Sequence, residues 1–339
     1  MRLTLLVRAD DTGLGYQTRA YYKHLNPHKT VIIDISNLNG NIQHYDWYKD
    51  VSLIRGIPTD EQVRSILMDT DVLLTAETPY NLNLYKIARE MGVKTACVEN
   101  PEFYDHIKYP QYEMPDLIIL PSVWMQNDIT AHATSRMTKV VQLHHPVDRE
   151  DITFKLRTTH KFLHIAGKPA ANDRNGTFDF LYAVPDGVVA IQDNNVANRI
   201  KRRYRHARVL ENINDRNWMY QTGDVLVLPR KYGGNCLPLN EALASGMPVI
   251  MPDISPNNHI LPKEWLVPAI VTDYFTPRTR VDIYSVDPDA LRLKTEWFRG
   301  QDMEKLSRQA SDIADTISWE TLKPKWVEAL EALCESKTL

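Results

Sequence analysis

Short apolar runs recur along the chain, each closed by a turn and followed by an amphipathic segment, and this rhythm sets what the chain can fold into. Strands alternating with helices give parallel sheets wrapped by crossover helices, so the fold class is α/β and not a sandwich. The first run, 3–7, leads into Asp10-Asp11-Thr12-Gly13-Leu14-Gly15 and a helix-compatible stretch at 16–25. Further strands are expected at 31–35, 72–75, 95–98, 117–120 and 140–143, with helices at 61–68 and 82–91. The rhythm restarts after a polar stretch, with strands at 162–165, 188–191, 209–210, 225–228 and 249–251 and helices at 177–183 and 239–245. Two doubly wound, Rossmann-like units follow. In the last segment Trp326, Leu330, Leu333 and Cys334 fall at i, i+4, i+7 and i+8, one apolar helix face that must dock.

A chain of 339 residues is long enough for about two domains. Forty Lys and Arg against 43 Asp and Glu give a formal charge of −3, and 43% apolar with 24% charged residues is a globular balance. No apolar run approaches the roughly 20 residues that span a bilayer, so no stable membrane insertion is expected. Arg8, Asp10 and Asp11 interrupt the N-terminus too soon for a signal peptide, which makes the cytoplasm the default compartment. Cys97, Cys236 and Cys334 are too scattered for a disulfide framework or a zinc set, and no metal site is expected. The charge balance argues against a dedicated nucleic-acid binder, although Arg199, Lys201, Arg202, Arg203, Arg205 and Arg208 form a local basic run, read first as a solvated face.

Three constellations can carry chemistry. Gly13 and Gly15 open a helix after the first strand, where backbone can approach a ligand and helical N–H groups face an anion; a plain tight turn fits equally. In the second unit Lys168 and then Arg174-Asn175-Gly176 stand between a strand and a helix start, a set able to neutralise a diphosphate; Asn175 can instead cap that helix. The segment 228–241, Leu-Pro-Arg-Lys-Tyr-Gly-Gly-Asn-Cys-Leu-Pro-Leu-Asn-Glu, is the most specific. Pro238 suits a first helical turn and Gly246 the residue past its end, which holds Glu241 about a turn into a helix at the carboxyl edge of a sheet. There it can accept hydrogen bonds from two ribose hydroxyls.

On these residues the chain resembles GT-B-fold glycosyltransferases and is most similar to the family 4 retaining enzymes. The likeness rests on 162–168, Arg174 to Gly176, Tyr220 to Pro229 before the donor loop, Leu237-Pro238-Leu239-Asn240-Glu241 with Gly246-Met247-Pro248-Val249, His145-Pro146-Val147-Asp148, and Ile317-Ser318-Trp319-Glu320. It implies two Rossmann-like domains facing across a cleft: an acceptor-side domain over 1–155, a nucleotide-sugar donor domain over 156–316, and a terminal helix over 317–339 crossing back to the first. Lys168 and Arg174 would stabilise the departing diphosphate without a metal, with retention of anomeric configuration. The donor site implied comprises Gly13, Gly15, Asn175, Arg230, Tyr232, Gly233, Gly234, Asn235, Leu237 and Glu241.

The chain departs from that pattern in two places. The first glutamate of the donor motif falls on Gly233, leaving Gly233, Gly234 and Asn235, with Arg230 and Tyr232, to meet the sugar, and Asn175 stands where lysine is common. Glu99, with Glu77, follows a strand at the acceptor edge and can bind acceptor or sugar, or be an ordinary loop acid. The expected activity is transfer of a sugar from a nucleotide-diphosphate donor, UDP by frequency, to a hydroxyl acceptor, with no cofactor. The acceptor stays open among a glycan, a lipid-linked sugar, a protein side chain and a modified DNA base. An epimerase or phosphorylase on the same fold, or a non-catalytic sugar-nucleotide-binding module, is the alternative.

Overall fold

The computed structural model describes residues 1–104, 113–167, 173–213 and 215–335. The chain divides into two compact units. Met1–His145, Pro277–Thr279 and the segment from Leu322 make the first; Pro146–Thr276 and Arg280–Thr321 make the second.

The first unit holds seven strands, β1 (Leu3–Val7), β2 (Lys29–Asp34), β3 (Ser52–Arg55), β4 (Val72–Ala76), β5 (Lys94–Val98), β6 (Leu117–Leu120) and β7 (Lys139–Gln142). All pair in parallel, in the order β3-β2-β1-β4-β5-β6-β7. The order reverses between β1 and β4, and such a switch point opens a crevice beyond the carboxyl ends of the strands. Leu6, Ile33, Leu73 and Cys97 meet Val63, Ile66 and Leu84 from the flanking helices in one buried cluster. Each fully buried aliphatic side chain there contributes roughly 1.5–3 kcal/mol.

The second unit repeats the plan with β8 (Phe162–Gly167), β9 (Val188–Ile191), β10 (Arg208–Glu211), β11 (Val225–Val227), β12 (Val249–Pro252) and β13 (Leu266–Val267), ordered β10-β9-β8-β11-β12-β13. Its switch point lies between β8 and β11. Leu163, Val189, Leu226 and Ile250 have no exposed surface. An antiparallel ribbon, β14 (Ala269–Phe275) and β15 (Val281–Val286), follows; the sequence reading did not anticipate it. The two distant motifs at 145–148 and 317–320 meet here: Val147 donates to Ile317 O at 2.8 Å and Trp319 to Val147 O at 3.3 Å.

The polar stretch expected to separate the domains packs on the second unit. Arg157 is fully buried, donating to Gly223 O at 2.9 Å and to Ser245 O at 2.8 Å, and burial lowers its guanidinium to about 10. The contact boundary accordingly falls between His145 and Pro146, earlier in the chain than residue 155. The terminal helix Trp319–Glu335 buries Trp326, Leu330 and Leu333 as its periodicity requires, Trp326 lying 5.0 Å from the Tyr21 ring. Cys334 departs from expectation: it is exposed, because the buried stripe ends at Leu333.

Candidate functional site

In the second unit the chemistry-bearing loops leave the carboxyl ends of β8 and β11, on either side of the switch point. Lys168 lies outside the described residues. The loop after β8 ends at Gly176, whose φ of +70° and close approach to Pro229 O exclude a side chain. Asp173 then accepts from Thr177 N at 2.9 Å and from Phe178 N at 3.1 Å, capping the helix Thr177–Ala183. The amides of Thr177 and Phe178 are thus bonded to a carboxylate, and the cap that was the alternative for Asn175 is made by Asp173 instead. The positive φ at Gly176 turns Asn175 away from the cap position, so its amide donates to Ile165 O at 3.0 Å and Ala166 O at 3.3 Å, tying the loop to β8.

Two guanidinium groups converge here, Arg230 from the loop after β11 and Arg174 from the loop after β8. Arg230 donates to Tyr232 O at 2.9 Å and to Asn235 O at 3.0 Å. Arg174 donates to the same Tyr232 carbonyl at 3.3 Å and lies 4.9 Å from the Tyr232 ring centroid. Both arginines crowd the open face of Gly233, where a Cβ would strike Arg174 Nη2 and Arg230 Nη2 and where φ is +120°. The residue standing in place of a family glutamate is therefore a glycine that makes room for two cations. Arg230 is only 7% exposed and, among the described residues, has no carboxylate partner. A buried cation satisfied by carbonyls alone is a site prepared for an anion, because burial without a counter-charge is costly. Beside it Asn235 Oδ1 is buried with no hydrogen-bond partner among the described residues, an acceptor waiting for a donor. Gly234 is buried within the same turn.

The helix Leu237–Ala244 follows, with its proline in the first turn, and places Glu241 at 7% exposure. Tyr220 donates to Glu241 Oε2 at 2.7 Å and Arg216 pairs with Oε1. Both oxygens are engaged, though a carboxylate has about four acceptor sites, so ribose hydroxyls would share Glu241 with these neighbours. Sequence reasoning missed Tyr220 and Arg216. Tyr220 opens a segment that resembles the family and Arg216 lies just before it, but nothing in that spacing announces contact with Glu241.

The first unit gathers a second polar group at its own switch point. Arg8 and Asp10, past β1, form a buried ion pair. Gly15 packs so closely on Asp10 O that no side chain fits, and Thr12 Oγ1 accepts from Gly15 N at 3.2 Å. Gly15 is thus a packing glycine beneath a capped helix, and Gly13, the first residue of that helix, is exposed. Past β4, Glu77 adopts a left-handed φ of +67° and accepts from Asn100 Nδ2 at 2.7 Å, with burial raising its carboxyl above the ordinary range. Glu99 turns inward, its Oε2 3.7 Å from Cys97 Sγ and its surface 1% exposed. Glu77 stands nearer the rim. Among the described residues no three His, Cys, Asp or Glu side chains are grouped to hold a metal, and no helix is long and apolar enough to cross a membrane.

No protein-family model and no curated protein matches the sequence. Solved structures do. The chain is similar to a glycosyltransferase from Rickettsia africae ESF-5, with a TM-score of 0.73 and 12% identity over 99% of both chains. It is similar to Anabaena HepE in complex with UDP, with a TM-score of 0.70 and 10% identity over 98% of this chain and 100% of that one. Sucrose-phosphate synthase from Thermosynechococcus elongatus gives 0.65 and 13% over 99% of both. The fold is that of these proteins, GT-B in its two Rossmann-like, parallel-sheet units.

Proposed function

We propose that the protein is a glycosyltransferase that takes a sugar from a nucleoside-diphosphate donor, a UDP-sugar first, and passes it to a hydroxyl acceptor. The observation that carries this reading is Arg230, buried without a carboxylate partner among the described residues and converging with Arg174 on Gly233 at the switch point of the second unit. UDP is favoured because HepE, of the same fold, is solved with UDP and with UDP-glucose. In this reading Arg174 and Arg230, with Lys168, neutralise the diphosphate as the glycosidic bond breaks. Asn235 Oδ1 accepts from a sugar hydroxyl, and Glu241 shares its remaining acceptor capacity with the ribose. The cations replace a divalent ion in that role, and attack from the face the leaving group departs retains configuration with no enzymatic nucleophile. Glu77, at the rim of the first unit, is the acid best placed to receive an acceptor hydroxyl.

Calorimetric titration with UDP tests the central residue. Arg230→Ala should weaken UDP at least about tenfold, the loss of one charge-assisted contact of about 1.5–3 kcal/mol, and Arg230→Lys should recover part of it. Equal UDP affinity in wild type and Arg230→Ala would remove Arg230 from the donor site.

A further inference from the structure

The basic run has no place in the donor site, and topology says why. A crossover helix leaves the carboxyl edge of one parallel strand and returns to the amino edge of the next. The helix Asn194–Arg203 and the loop after it therefore deliver Lys201 to Arg208 to the amino edge of β10, the outermost strand of its sheet. The donor loops sit at the carboxyl edge of the same sheet.

Arg199, Lys201, Arg202, Arg203, Arg205 and Arg208 are all exposed. Lys201 pairs with Glu211, Arg199 lies 4.3 Å from the Phe178 ring centroid, and Arg203 lies 5.5 Å from that of Tyr204. Arg202, Arg203, Arg205 and Arg208 have no carboxylate partner among the described residues. Lys201, Arg202 and Arg203 occupy the last helical turn, where cations offset the partial negative charge of the helix end. That structural role does not reach Arg205 and Arg208, which lie beyond the helix, or Arg199, which precedes its last turn. A chain of net charge −3 has thus concentrated unpaired positive charge on one edge of one unit.

We propose that this edge binds the phosphate backbone of duplex nucleic acid. Five of the six cations are arginines, whose planar forks match phosphate oxygens two at a time. An anionic membrane would also attract them, but stable seating on lipid needs apolar side chains to insert beside the charges. Within the run the apolar members Ile200 and Tyr204 are buried and half-buried, and the Tyr204 ring lies beneath Arg203. Within the run itself no aromatic ring stands open for stacking bases, Tyr204 being half-buried beneath Arg203, so the contact is to the backbone, independent of sequence and released by salt.

The test is fluorescence anisotropy of a labelled DNA duplex with the full chain between 50 and 200 mM salt, with unfolding midpoints confirming that each variant folds. Each phosphate neutralised should add about −0.9 to the slope of log K against log salt. Replacing Arg202, Arg203, Arg205 and Arg208 together by alanine should flatten the slope by about three to four and weaken binding at the lowest salt by more than about tenfold. Arg205→Ala with Arg208→Ala, both outside the helix, should remove about half of that change in slope. A wild-type chain that does not bind duplex, or a fourfold variant with an unchanged slope, overturns the proposal. So does a variant that loses binding to phosphatidylserine vesicles while its duplex binding is unchanged.

Discussion

His164 shows how one buried residue couples this fold to pH. It has no exposed surface on β8, lies 2.9 Å from Val227 O through Nδ1 and 3.1 Å from Thr177 Oγ1 through Nε2, and stacks on Phe180. A carbonyl can only accept, so Nδ1 carries the proton, and in the neutral ring Nε2 is left to accept from the threonine hydroxyl. Burial lowers its pKa from 6.5 to about 4, against the opposing pull of the Val227 carbonyl. The unfolded chain therefore binds the extra proton between those values, and stability falls as pH drops from 6.5 toward 4. The loss should be on the order of 3 kcal/mol, at 1.36 kcal/mol per pH unit. Urea melts at pH 7 and pH 4.5 should show it, with a smaller pH dependence in His164→Gln; an identical dependence in that variant would place the effect elsewhere. This histidine was invisible as a structural switch in the sequence, because nothing local marks its partners 13 and 63 residues away. Gly233 was legible as a departure from a family pattern, but the two arginines that require it stand on separate loops. For Asn175 a cap was the alternative to donor binding, because Asn before a helix is often one, and the left-handed turn at Gly176 gives that role to Asp173.

At the scale of elements, what sequence periodicity sees is burial. Strands covered on both faces, such as β6 and β9, are continuous apolar runs and stand where expected. Several elements it missed are wet: β3, with no buried residue, β14, exposed over most of its length, and the helix Asn194–Arg203, which buries only Ala197 and Ile200; it also missed the buried β13 and the helices Pro288–Arg299 and Met303–Thr316, which carry buried residues. The terminal helix was legible for the same reason, its stripe being apolar on one side alone. Trp326 packs on Tyr21, and its indole donates to His144 O at 3.3 Å. Trp326→Ala should cost about 3–5 kcal/mol, the range for emptying a large buried aromatic site. Cys334→Ser, on the exposed side, should change stability by less than about 0.5 kcal/mol. Equal unfolding midpoints for the two variants would contradict the docking of this face.

For the whole molecule, one architecture is used twice: each unit has a parallel sheet whose strand order reverses, and at each reversal polar side chains gather. Identities of 10–13% with proteins of the same fold show how little of the sequence that architecture needs. It needs apolar strands, glycines where backbones touch, and caps at helix starts, and the apolar and capping positions can each be filled by several residue types. The second unit's switch point collects Arg230, which has no carboxylate partner among the described residues, the Asn235 Oδ1 that finds no donor among them, and the buried Glu241, and the account stands on that collection being a nucleotide-sugar site. The most direct measurement is the melting temperature of the purified chain with UDP, UDP-glucose, GDP and ADP, each with and without chelator. Ligand at about 100 times its Kd adds about 2.7 kcal/mol, a rise of several degrees for domains of this size. The account predicts that rise with UDP and UDP-glucose, undiminished by chelator. No rise with any nucleoside diphosphate at millimolar concentration would contradict it.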